Sequence, residues 1–267
     1  MPPQMFAMIK AEVAAVFGRW SGRGALALAL VVGLLAVGGL EGASRAAENV
    51  QANGSPAASF LKIDWSTCVA WGLQARNFFI LPLLIVLSGA SSLSGELKEN
   101  TLREVLVRPV PRWSIVFAKV CALALLSLCT LVITATTAVA GGAAIFPTEG
   151  TISGQLAGFA MSWLSDLGLI TMTLLVASFS RSVGGVVVGL ALYLGIDWGL
   201  GALLGFLGNF GVEWAPVVQD FLPGTALKAW ADWEGLAFEP KRVGALLGWT
   251  ALTWVLATIR VQKMDVP

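Results

Sequence analysis

Apolar residues in this chain come in long runs rather than in alternation. Six stretches stand out: Gly24 to Leu40, Phe78 to Leu93, Val116 to Ala140, Phe159 to Phe179, Val183 to Phe206 and Val243 to Ile259. A helix crossing the hydrocarbon core of a bilayer needs about 20 predominantly apolar residues. The runs therefore predict six transmembrane helices, with flanking small or aromatic residues completing the first, second and sixth. Ahead of them Met5, Ile9, Val13, Val16 and Trp20 recur at three- and four-residue steps, while Lys10, Glu12 and Arg19 fall off that stripe. This period predicts an amphipathic helix over residues 1–23 lying at the inner membrane surface, ahead of a six-span unit over 24–267. Because those first residues carry a helical pattern of their own, the first span is expected to be retained rather than cleaved.

Polar and broken segments separate the runs. Residues 41–77 read as a polar outer loop containing Gly54-Ser55-Pro56, Gly141-Gly142 with Pro147 as a short outer turn, and Ser180-Arg181-Ser182 as a tight inner one. The outer segment 207–241 carries Phe210, Trp214, Phe221, Trp230, Trp233 and Phe238 among Pro216, Pro223 and Gly224. It is too interrupted to span and too apolar for a free loop. Short helices dipping into the outer leaflet are one expectation, a plain aromatic belt the other.

Composition narrows the class further. Hydrophobic residues make up 57% and charged residues 12%, about half the usual charged share of roughly 25%. That excludes an ordinary soluble domain and makes the chain an all-α membrane protein. Lys and Arg set the orientation. With the N-terminus inside, eleven lie on inner segments and six outside, the latter being Arg45, Lys62, Arg76, Lys228, Lys241 and Arg242. Both termini are then expected in the cytoplasm. Cys68 is placed outside and alone, with Cys121 and Cys129 in the third span, so no intrachain disulfide is expected. The sequence has no histidine and no Gly-x-x-x-x-Gly-Lys-Ser/Thr phosphate loop, so no catalysis, metal site or ATP site is expected here.

One charged island interrupts the apolar runs, Gly95 to Lys119, reading GELKENTLREVLVRPVPRWSIVFAK. Thr101 and Glu104 form a capping box, Leu102, Val105 and Leu106 share a face, and Pro109 and Pro111 stop the helix. About two turns of amphipathic helix over 101–108 are predicted between the second and third spans. The order Gly95-Glu96, Thr101-Leu102, Val105-Leu106, Pro109, Arg112 and Lys119 resembles the segment joining those spans in ABC-2 type transporter permeases. Asn100 stands where that family usually has Gly. The resemblance implies a coupling helix fitted into a groove on an ATPase subunit, with Glu96, Thr101, Leu102, Val105, Leu106, Pro109 and Arg112 as coupling residues. It also implies two permease subunits as a homodimer, two separate ATPase chains carrying ATP and Mg, and re-entrant helices before the last span. The N-terminal interfacial helix would touch lipid and ATPase. The location implied is a bacterial inner membrane, the substrate a drug, lipid, glycan or peptide; an outer partner is conceivable, a nucleic acid is not expected.

Asp166 and Asp197 fall inside the fourth and fifth spans, where a carboxylate costs about 2.5 to 3.5 kcal/mol on insertion scales. With Tyr193 they are the candidate intramembrane polar site, lining one cavity for substrate or proton. The structural alternative is a protonated or hydrogen-bonded Asp joining two helices. Gly185 with Gly189, Gly201 with Gly205, and Gly244 with Gly248 have the spacing that lets helices approach closely, within the bundle or in a dimer. Two other classes stay open: a proton-coupled secondary transporter using Asp166 and Asp197, and a membrane scaffold relaying ATPase motion to an outer partner.

Overall fold

The computed structural model describes residues 3–52, 64–78, 80–99, 101, 111–148, 153–231 and 240–264. All regular structure among them is helical. In a membrane no water is at hand for the backbone, so each apolar run satisfies its N–H and C=O groups internally as a helix. Among the described residues six helices are long and apolar enough to cross: Trp20–Asn49, Trp65–Glu99, Trp113–Ile145, Ser153–Ala177, Val183–Asn209 and Pro240–Gln262. The protein is an all-α, multi-pass membrane protein.

Helix α1 (Pro3–Gly18) is followed after Arg19 by α2 (Trp20–Ala52). The second crossing is built from α3 (Trp65–Phe78), α4 (Ile80–Ala90), a π-helical turn (Ser91–Gly95) and α5 (Glu96–Glu99). Then come α6 (Trp113–Ile145), α7 (Ser153–Ala177), α8 (Val183–Asn209), the short α9 (Trp214–Asp220) and α10 (Pro223–Ala226), and α11 (Pro240–Gln262). Helix α6 is the hub, packing against α1, α2, α3, α7 and α11. The spans at α6 and α7 bury 61% of their apolar window and those at α8 and α11 only 22%, which puts the latter pair at the periphery. At one end of the bundle Val16 of α1 joins Ile115, Leu123, Leu174 and Val261 in one core, seating α1 against the bundle.

Two expected boundaries are corrected. The outer loop over 41–77 is helical at both ends, since α2 runs on to Ala52 and α3 begins at Trp65. Ala, Glu and Arg dominate 43–49, and such residues form helix without any apolar face; Arg45 pairs with Glu41 one turn earlier at 2.5 Å. Asp64 starts α3 as its cap, accepting hydrogen bonds from the Thr67 N–H at 2.8 Å and the Ser66 hydroxyl at 2.7 Å. Burial pushes the Asp64 carboxyl up, but these bonds outweigh it and hold the group below its ordinary value. The outer turn expected at Gly141-Gly142 is also helix: α6 continues to Ile145, because Gly142 lets Trp65 and Cys68 approach its backbone. Cys68 is accordingly buried, not in a loop.

Candidate functional site

Three polar clusters join helices that are distant in sequence. The first centres on Lys119, which is 1% exposed. Its ammonium donates to Glu12 Oε1 at 2.8 Å, Glu96 Oε1 at 2.7 Å and the Ser92 carbonyl at 2.7 Å. An ammonium has three donors, and all three are used. The Ser92 carbonyl lies in the π-turn, a wider helical turn of a kind often found at functional positions. Arg19, at the break between α1 and α2, stands 3.7 Å from Glu96. One side chain of α6 thus ties α1 to the C-terminal end of the second span.

Two further described residues of the charged island, Thr101 and Arg112, have partners of their own. Thr101 directs its hydroxyl to the Glu96 carbonyl at 3.5 Å. Arg112 donates to the carbonyls of Gln262 and Met264 at 2.8 and 2.9 Å, where the last carbonyls of α11 need partners. Leu102, Val105, Leu106 and Pro109, and with them the expected helix over 101–108 beyond its first residue, lie outside the described residues. Both sides of that segment are nonetheless anchored: Glu96 on α1 and α6, Arg112 on the end of α11.

The second cluster overturns the placement of Arg76. Expected in an outer loop, it is fully buried in the last turns of α3. Its Nη2 is 2.5 Å from Asp166 Oδ2 and also donates to Thr130 at 3.1 Å, while Nη1 donates to Asn77 Oδ1 at 2.6 Å and Ser162 at 3.2 Å. Ser127 donates to the same Asp166 oxygen, and Ser162 to Asn77 Oδ1 at 2.9 Å. The cluster welds α3, α6 and α7 together. Asp166 is therefore an ion-paired carboxylate rather than a lone acid, and with Arg76 withdrawn the outer Lys and Arg drop to five. No local pattern in the sequence marks Arg76. The available signal was the unexplained Asp166 itself, which required a cation somewhere.

The third cluster lies at the periphery. Asp197, 5% exposed, accepts the Gly224 N–H at 2.6 Å at the start of α10, and Lys228 sits 4.5 Å over the Trp198 ring. Asp197 is twelve residues before the end of α8 at Asn209, about 18 Å along the axis at 1.5 Å per residue. The segment through α9 and α10 therefore folds back along α8. Gly201 and Gly205 make room for it, facing Thr225 and Gln219. Among the described residues Gly189 meets only Val176 at 3.8 Å, Gly185 its own N-terminal turn, and Gly244 and Gly248 nothing within 4 Å, so none of these four shows close packing there. Asp166 and Asp197 belong to separate clusters rather than one shared cavity. Tyr193 instead lines an apolar groove of about 210 Å³ with Met172, Leu190, Trp249 and Leu256.

A family model described as an ABC-2 family transporter protein matches residues 23–196, about two thirds of the chain. No curated protein matches the chain. The matched range contains Arg76, Glu96, Lys119 and Asp166; it stops one residue short of Asp197 and leaves out α1 and the outer hairpin.

Proposed function

We propose, taking as premise that this chain belongs to the ABC-2 transporter family, that it is the permease of an exporter driven by a separate ATPase. A transporter membrane subunit follows from the family directly, as does an ABC ATPase partner in general. The proposal adds the mechanism. The observation carrying it is the Lys119 cluster, which locks α1, the exit of the second span and α6 into one rigid base. Movement imposed on the segment between Glu96 and Arg112 would reach α1 and α6 through Lys119, and α11 through Arg112. Rigid linkage of this kind converts a push at the inner face into a change of the bundle.

The rest of the reading is an inner bacterial membrane, both termini in the cytoplasm, two ATPase chains binding ATP and Mg, two permease chains, and an amphipathic or hydrophobic substrate. A proton-coupled transporter using Asp166 and Asp197 together finds less support, because the two carboxylates sit in separate clusters. The coupling reading is tested by Leu106→Asp. An apolar side chain of this size contributes roughly 1.5 to 3 kcal/mol when fully buried, and a charge there reverses the sign. Co-purification of the ATPase should be lost while membrane insertion is kept, and Arg103→Ala should leave it intact. Wild-type co-purification with Leu106→Asp would show that the segment does not dock there.

A further inference from the structure

Among the described residues, two buried donor atoms of the Arg76 cluster have no partner. A guanidinium has five N–H groups; those of Nη1 and Nη2 serve Asp166 and its neighbours, while the buried Nε has no partner among the described residues. The buried Nδ2 of the adjacent Asn77 has none either, although its Oδ1 accepts from both Arg76 and Ser162. Donors left open inside a membrane are costly, so each calls for an oxygen acceptor. One turn outward, Leu73 packs with Phe159, Trp163 and Trp230, the last at the end of the outer hairpin. Open donors thus lie beside an aromatic and aliphatic wall.

Resting on the reading of the chain as a transporter permease, we infer that Arg76 and Asn77 form a substrate subsite for a neutral oxygen acceptor, an amide or ester carbonyl of an amphipathic molecule. The charge balance selects that class. Asp166 already neutralises Arg76, so a carboxylate or phosphate would add an uncompensated charge in a low-dielectric site, whereas a carbonyl accepts two N–H bonds at no such cost. The aromatic wall takes the apolar part of the same molecule.

The test uses the full chain in lipid nanodiscs, with empty nanodiscs as the blank, and three probes: dodecanamide, dodecanoate and dodecane. Saturable binding is expected for dodecanamide, about tenfold tighter than for dodecanoate. Arg76→Lys keeps a cation for Asp166 but has no Nε donor, and Asn77→Ala removes the other donor; each should weaken dodecanamide about tenfold and leave dodecanoate unchanged. Asn77→Ala keeps the test decisive if Arg76→Lys fails to assemble. Equal binding of amide and carboxylate would overturn the inference. So would dodecanamide binding indifferent to both substitutions, or no saturable binding with one ordered water bridging the two donors. Because binding is read without ATPase, failure here is separable from failure of the docking test on Leu106→Asp.

Discussion

Asp166→Asn separates a protonated structural acid from an ion-paired one. A lone protonated acid would tolerate the amide, which keeps shape and hydrogen bonding. With Arg76 fully buried against it, the amide removes the carboxylate that faces a buried guanidinium. Removing one partner of a buried ion pair costs about 3 to 5 kcal/mol, which is roughly a 100- to 4000-fold change in the unfolding equilibrium at 1.4 kcal/mol per decade. Asp166→Leu and Arg76→Met should each show this loss. In the double variant both charges go, Thr130 keeps its bond to the Ser127 carbonyl and Ser162 its bond to Asn77. Mainly the Ser127 hydroxyl is orphaned, at about 1 to 3 kcal/mol. The double variant should therefore be more stable than either single one. Asp197→Asn serves as the contrast, because its amide oxygen still accepts the Gly224 N–H and stability should stay near wild type. The assay is a graded dodecyl sulfate titration of purified protein in mixed micelles, followed by helical circular dichroism. Strict additivity of the two single losses would mean that Arg76 and Asp166 do not interact, and the assignment of the second cluster would fall.

The other predictions concern the remaining clusters and the orientation. Lys119→Met leaves two carboxylates facing each other without their cation; as Glu12 and Glu96 keep some solvent contact, the loss should be roughly 3 kcal/mol, the low end for a broken pair, and ATP-driven transport should fall with it; wild-type stability in the same titration would contradict the cluster. Gly224→Ala puts a Cβ 2.6 Å from Trp198 Cδ1 and closer still to Asp197 Oδ2, so α10 must leave α8, at a cost of about 0.5 to 1.5 kcal/mol for the hydrogen bond. A cysteine at Ala226, buried at 1% exposure, should then become reactive to thiol reagents, and continued protection would argue against the seat described. With native cysteines replaced, a cysteine at exposed Glu213 should label from outside intact cells and one at exposed Arg181 should not; the reverse pattern would invert the topology.

Much of this architecture is legible without coordinates because it depends on local composition. A run of about 20 apolar residues has one solution in a bilayer, whatever lies elsewhere in the chain. The six spans, the N-terminal helix, the outer segment folded back near the membrane, and the charged island between the second and third spans all follow from residues close together in sequence. Those features fall to composition and period alone. Arg76 does not. Its neighbours Gln74 and Asn77 lower the local hydropathy enough to read as loop, and the partner that makes its burial tolerable is Asp166, 90 residues away. Lys119 with Glu12, 107 residues apart, is the same case. The glycines divide likewise: spacing alone cannot separate Gly201 and Gly205, which seat the outer hairpin, from Gly244 and Gly248, which face open space. The physical reason is common to all three. Whether a charge can sit in a low-dielectric interior, or a small residue becomes a contact, is a property of a pair, and only tertiary packing decides which pairs exist.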